Sequence, residues 1–181
     1  MREEDGMKRF LSEESIALHK DYVRLKRLKY SIIESSVPPL VGAEIKDIYR
    51  MKIDARDKRD ALVLLADIRL HEISFASFAE APYQHSRAVC QAYGNEADFL
   101  NLLYKRALNL PYGFVLVYRI GDRIEVRECT DYASALRTSD PALAIDVCEH
   151  VYFMDYGFDK EKYLLASLPY LNLATLSASG D

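Results

Sequence analysis

The stretch Asp146-Val147-Cys148-Glu149-His150-Val151-Tyr152-Phe153-Met154-Asp155-Tyr156 decides how this chain is read. The apolar run Ala142 to Ile145 leads into it, and an amphipathic, helix-like segment follows. Asp146 and His150 stand four residues apart among apolar neighbours, where neither group is easily buried without a partner. A divalent or trivalent metal would satisfy both, since carboxylate oxygen and neutral imidazole are ordinary ligands of iron, manganese and zinc. A buried ion pair at a strand-to-helix junction would also satisfy them.

The whole chain bounds the choice. Its 181 residues suffice for one substantial core or two small domains sharing an interface. Half of them are hydrophobic and 29% are charged, as in an ordinary globular protein. A formal net charge of -4 argues against a general nucleic-acid binder. No apolar run reaches membrane-spanning length, and the first residues lack the apolar core of a signal peptide. Cys90, Cys129 and Cys148 are scattered and form no Cys-x-x-Cys motif. The expected setting is therefore reducing and cytoplasmic, with neither nucleic acid nor membrane as a partner.

Ser12-Glu13-Glu14-Ser15 predicts a helix start, with Ser12 as N-cap and acidic residues in the first turn. That helix runs to about Ser36, where Val37-Pro38-Pro39 stops it. Ile16, His19, Val23 and Tyr30 share its apolar face, while Lys20, Arg24, Lys26 and Lys29 read as a solvated basic run. A short helical piece follows around Ala43 to Tyr49, then a second long helix over Ala55 to Phe78. It carries Asp67 and His71 on one face by their four-residue spacing. The two long helices form an antiparallel hairpin. From Ala81 the pattern changes to helices over Gln84 to Ala92 and Ala97 to Leu108. Strands are predicted at Tyr112 to Ile120, Arg123 to Cys129 and Leu143 to Val147, the first two joined at Gly121-Asp122. A closing helix spans Asp159 to Leu176, interrupted near Pro169. The predicted class is α+β: an N-terminal helical hairpin domain (1–80), then an α+β domain (81–181) with a three-stranded antiparallel sheet.

Asp146-x-x-Glu149-His150-x-Tyr152, followed by Asp155-Tyr156, resembles the carboxy-terminal signature of the iron/manganese superoxide dismutase family, Asp-x-Trp-Glu-His-x-Tyr-Tyr. Leu11-Ser12-Glu13-Glu14-Ser15-Ile16-Ala17-Leu18-His19 resembles the family's opening helix, which brings the first metal histidine after an Ile-Ser-x-Glu-Thr pattern. Leu70-His71 stands where the family has Asn-His. The resemblance can be followed from Leu11 to Leu173. It implies a site of His19, His71, Asp146 and His150 for one iron or manganese ion per subunit, with a fifth position for solvent. It implies conversion of superoxide to dioxygen and hydrogen peroxide by redox cycling of that metal. It also implies a homodimer in which Glu149 reaches the last histidine of the other subunit. Three of the four histidines fall at ligand positions; His85, in a polar stretch after Pro82, is read as merely exposed.

The outer residues depart from the family. Its solvent-binding glutamine comes from one of two positions, held here by Asp67 and Thr130, so iron and manganese are not told apart. Asp67 either accepts a hydrogen bond from bound water, reaches the metal, or turns outward. The family's active-site tyrosine falls on Arg27, which draws superoxide in, neutralises Asp67 or closes the mouth of the site. A histidine and tyrosine that pair across the family's dimer are replaced by Val23 and Phe153, an apolar substitution of both partners. The pocket tryptophans become Phe75, Phe114 and Cys148; Cys148 is either a small buried thiol or an oxidisable one. Three functions follow: a dismutase, with Asp67 and Arg27 as outer-sphere catalytic candidates; a metal-binding homologue with little or no dismutase activity; or a non-catalytic structural or interaction protein. Net acidity and the four intact ligand positions weigh against the last.

Overall fold

A computed structural model describes residues 5–177 of the chain. Helix α1 (Glu13–Ser36) begins where expected: the Ser12 hydroxyl accepts from the Ser15 N–H at 3.1 Å. It ends at Val37, and Pro38–Leu40 turn the chain in one 3-10 turn. After the short α2 (Ile45–Ile48), Asp54 caps α3 (Ala55–Ala76), its carboxylate accepting from the N–H groups of Arg56 and Asp57. Helices α1 and α3 pack together. The pairs His19–His71 and Lys26–Asp67 step forward along one helix and backward along the other, so the two form the expected antiparallel hairpin.

The second half begins with α4 (Arg87–Tyr93) and α5 (Glu96–Asn109), separated by Gly94 at φ +88°. Strands β1 (Phe114–Ile120), β2 (Arg123–Cys129) and β3 (Leu143–Asp146) make one antiparallel sheet in the order β2-β1-β3. Between β2 and β3 lies a short helix, α6 (Tyr132–Ala135), which the sequence pattern does not announce. Helices α7 (Glu149–Tyr156) and α8 (Lys160–Ser167) close the chain. The closing helix expected over Asp159 to Leu176, interrupted near Pro169, is interrupted there: Pro169 sits in a 3-10 turn (Leu168–Tyr170) that ends α8, and Leu173–Leu176 form a second 3-10 turn rather than resuming the helix.

Alternation along the strands aims the site. Phe114, Leu116 and Tyr118 of β1 pack with Ala144 against α3 residues Leu62, Ala66 and Leu70. Val115 and Val117 point the other way, with Ile145, towards α5 residues Phe99 and Leu103 and towards α8. Asp146 is paired with Phe114, so it shares the face turned towards α3. A one-residue slip of β3 would turn the carboxylate into the opposite core. Gly113, just before β1, fixes that register from outside: it lies at φ +105°, and a Cβ there would meet the Cys129 carbonyl oxygen at 2.1 Å. No helix among the described residues is long and apolar enough to cross a membrane.

Candidate metal centre

Four elements bring four donors together. His19 comes from the second turn of α1, His71 from the last turns of α3, Asp146 from the end of β3, and His150 from the first turn of α7. One ligand atom from each lies within 4.8 Å of every other. The Nε2 atoms of His71, His19 and His150 stand 3.2, 3.6 and 3.6 Å from Asp146 Oδ2. His19 and Asp146 are fully buried, His71 nearly so, and His150 is 28% exposed at its side chain.

The rest of each side chain is held so that these atoms face inward. Asp146 Oδ1 accepts from the Cys148 N–H at 2.9 Å, leaving Oδ2 for the centre. Tyr163 donates to the Asp146 carbonyl oxygen at 3.1 Å. His71 Nδ1 donates to the Asp67 carbonyl oxygen at 2.7 Å, which fixes the ring and directs Nε2 to the cluster. Phe75 packs on the His19 ring at 4.6 Å between centroids, and Phe114 meets His71 edge-on at 5.2 Å. Phe75 and Phe114 thus wall the site on two sides.

Burial depresses His19, and it lowers His150 to about 4, against the pull of Asp146. Burial also opposes charge on His71, but the adjoining carboxylates of Asp146 and Asp67 win and raise it to about 10. For Asp146, burial favours the neutral acid, while the adjoining His19 and His71 and the charges of His71 and His150 hold it well below the ordinary carboxylate range. A negative oxygen beside the neutral imidazoles of His19 and His150 suits a cation, which on binding would displace the proton of His71. Both nitrogens of His19 and Asp146 Oδ2 are buried without a hydrogen-bond partner. Each such group costs about 1–3 kcal/mol, a large sum against a net stability of about 5–15 kcal/mol. An ion pair alone leaves these atoms without hydrogen bonds, whereas one metal bound to all four residues satisfies Asp146 Oδ2 and the His19 nitrogen that faces it. The donor set of three imidazoles and one carboxylate fits iron or manganese.

The surroundings differ from the sequence-based expectation in an instructive way. Asp67 is buried, not turned outward; its Oδ2 accepts from Lys26 Nζ at 2.7 Å and from the Tyr22 hydroxyl at 3.4 Å. Burial opposes its charge, but His71 and Lys26 lower its pKa overall. Lys26 also lies over the Tyr22 ring at 4.7 Å, and Tyr22 stacks on His150 with centroids 4.4 Å apart. Arg27 goes elsewhere: it is exposed and pairs with Glu72 at 2.7 Å. Helix geometry explains the exchange. Seven residues beyond His19 is a rotation only about 20° short of two full turns, whereas eight residues overshoots by about 80°. Lys26 is therefore not part of a wholly solvated run, and Tyr22 and Lys26 are the neighbours that residue-by-residue reading missed. Their spacing of three and seven from His19 was the available signal.

Thr130 is exposed. Val23 is buried in the core, whereas Phe153 is 45% exposed and packs on Phe158. Burial and the charge of Asp146 push the Cys148 thiol up to about 12, so it stays protonated while its sulfur accepts from the Gly113 N–H at 3.2 Å. Glu149 is exposed beside His150.

Residues 82–179, more than half of the chain, match the family model described as iron/manganese superoxide dismutases, C-terminal domain. No curated protein matches the sequence. The matched domain supplies Asp146 and His150, the helical hairpin completes the buried cluster with His19 and His71, and the chain belongs to the iron/manganese superoxide dismutase family.

Proposed function

We propose that the protein is an iron- or manganese-dependent superoxide dismutase with His19, His71, Asp146 and His150 as its metal ligands. The observation that carries the reading is the convergence of these four donors, with Asp146 Oδ2 and a His19 nitrogen buried and otherwise unsatisfied. When bound, the metal supplies a one-electron couple that oxidises one superoxide to dioxygen and reduces a second, which takes up two protons and leaves as hydrogen peroxide. The protein residues then have definite tasks. Asp146 holds negative charge against the cation, and the Asp67 carbonyl keeps His71 turned inward. Phe75 and Phe114 exclude water from two sides. His150, the partly exposed member, marks the side open to a small anion, where Tyr22 and Lys26 hold protons at a hydroxyl and an ammonium group.

A second reading, metal binding with little or no dismutation, draws support from Asp67. Its carboxylate is tied to Lys26, an arrangement unlike the neutral amide that the resemblance would place there. The two are separated by loading the purified protein with iron or manganese, measuring bound metal and assaying superoxide loss. Rapid dismutation dependent on bound metal supports the first. Bound metal that performs no better than the free aqueous ion overturns it in favour of the second.

The proposal includes a two-fold homodimer. Glu149 is exposed one residue before a ligand, and Phe153, Met154 and Phe158 are exposed close by in sequence. In such a dimer each Glu149 orients the partner's last histidine. Reading 1–80 and 81–181 as two domains puts the metal centre at their junction, with two ligands from each. A cytoplasmic setting accords with Cys90, Cys129 and Cys148 all being free thiols.

A further inference from the structure

His85, Cys90 and Glu96 form another group of donors, each offering an atom within 4.8 Å of the others. The chain reaches it through a constrained turn: Tyr83 adopts φ +55° and donates its N–H to the Pro169 carbonyl at 2.6 Å. Ser86 then caps α4, leaving His85 just outside the helix and Cys90 one turn inside it. Glu96 opens α5 and folds back so that its Oε1 accepts from the Ser86 N–H at 3.1 Å and meets His85 Nδ1 at 2.6 Å. The Cys90 sulfur lies within 4.8 Å of the same side chain's ligand oxygen. An imidazole and a thiol from one helix start therefore converge on a carboxylate from the next.

Capping accounts for only part of this. The Ser86 N–H explains one contact to Glu96; it does not explain why a nitrogen and a sulfur donor both lie against the same carboxylate. Activation of the thiol as a nucleophile does not explain it either. Cys90 lies against a carboxylate that raises its pKa, the opposite of what a reactive thiolate needs. Sulfur, nitrogen and oxygen donors in a group of three match zinc, which takes a solvent molecule as its fourth ligand. Cys90 and Glu96 are part-buried and His85 is exposed, so the ion has access from solvent.

We propose that His85, Cys90 and Glu96 constitute a second metal site, suited to zinc and separate from the iron or manganese centre. Zinc bonds to the His85 Nδ1 lone pair, the Glu96 carboxylate and the Cys90 sulfur, whose proton leaves to solvent; no electron is transferred. The bound ion clamps α4 to α5, near the 3-10 turn that holds Pro169.

Cobalt titration of the full-length protein tests this, because a thiolate ligand gives cobalt a near-ultraviolet charge-transfer band and no residue of the first centre is a cysteine. The expected band saturates, is displaced by zinc, disappears in Cys90→Ser and survives in Cys148→Ser. Glu96→Gln and His85→Ala keep the thiol and test the site if Cys90→Ser misfolds; each should weaken zinc binding roughly tenfold or more. The proposal is overturned by no band in the unmodified protein, by a band that persists in folded Cys90→Ser, or by one that Cys148→Ser removes. Unchanged zinc affinity in both Glu96→Gln and His85→Ala overturns it as well.

Discussion

Asp67 carries a carboxylate that would be unstable alone at its depth in the protein, and Lys26 is the group that makes it tolerable. The ion pair is short, at 2.7 Å, and mostly shielded on both sides. Removing one member leaves a poorly solvated charge, whereas removing both leaves none. Asp67→Asn and Lys26→Met should each destabilise the metal-free protein by about 1–3 kcal/mol, and the double variant should recover a good part of the loss. Chemical denaturation of all four proteins gives the coupling, expected at about 0.5–3 kcal/mol; strict additivity would rule out the pairing. The four cluster residues were legible in the sequence because each belongs to a local pattern of its own. Lys26 was not: its role depends on which part of α1 faces Asp67 across the hairpin, and a resemblance based on residue position points to Arg27 instead.

At the level of elements, α1 and α7 must stay in register for His19 and His150 to meet. Two contacts at the far end of α7 tie them: Asp155 accepts from the Ser12 N–H at 2.9 Å, and the Tyr156 hydroxyl donates to the Phe10 carbonyl. Partial burial works against the Asp155 charge, but the Ser12 N–H and the Ser15 and Ser12 hydroxyls outweigh it and lower the pKa. A lowered folded-state pKa contributes stability that is present above the unfolded value, about 3.9, and is lost as pH falls through the folded value. Asp155→Asn should therefore cost about 0.5–1 kcal/mol near neutral pH and nothing once both proteins are at a pH where Asp155 is protonated. Thermal unfolding across that range checks it; an equal deficit at every pH would contradict it. The helices and strands were legible from caps, breakers and the hairpin signal at Gly121-Asp122. Helix α6 and the end of α8 were not: α6 is only four residues long, and the α8 boundary depends on packing of the 3-10 turns against Ser77 and Ala79.

For the whole molecule, the fold and the metal centre are linked. Both packed cores draw on residues from before and after position 80, and so does the metal centre. Metal bound only by the folded chain must raise its stability. Under the proposed pairing, Glu149→Ala should shift the protein from dimer to monomer in sedimentation and lower metal retention together; a dimer with unchanged metal content would remove Glu149 from the interface. Most direct is the metal content of the full-length protein beside His71→Ala and Asp146→Asn, measured after identical loading with iron or manganese. The predicted result is close to one ion per chain in the unmodified protein, with loss of that ion in both folded variants. A folded, unmodified protein that retains neither metal, or variants that retain it undiminished, would contradict assignment of the centre to His19, His71, Asp146 and His150.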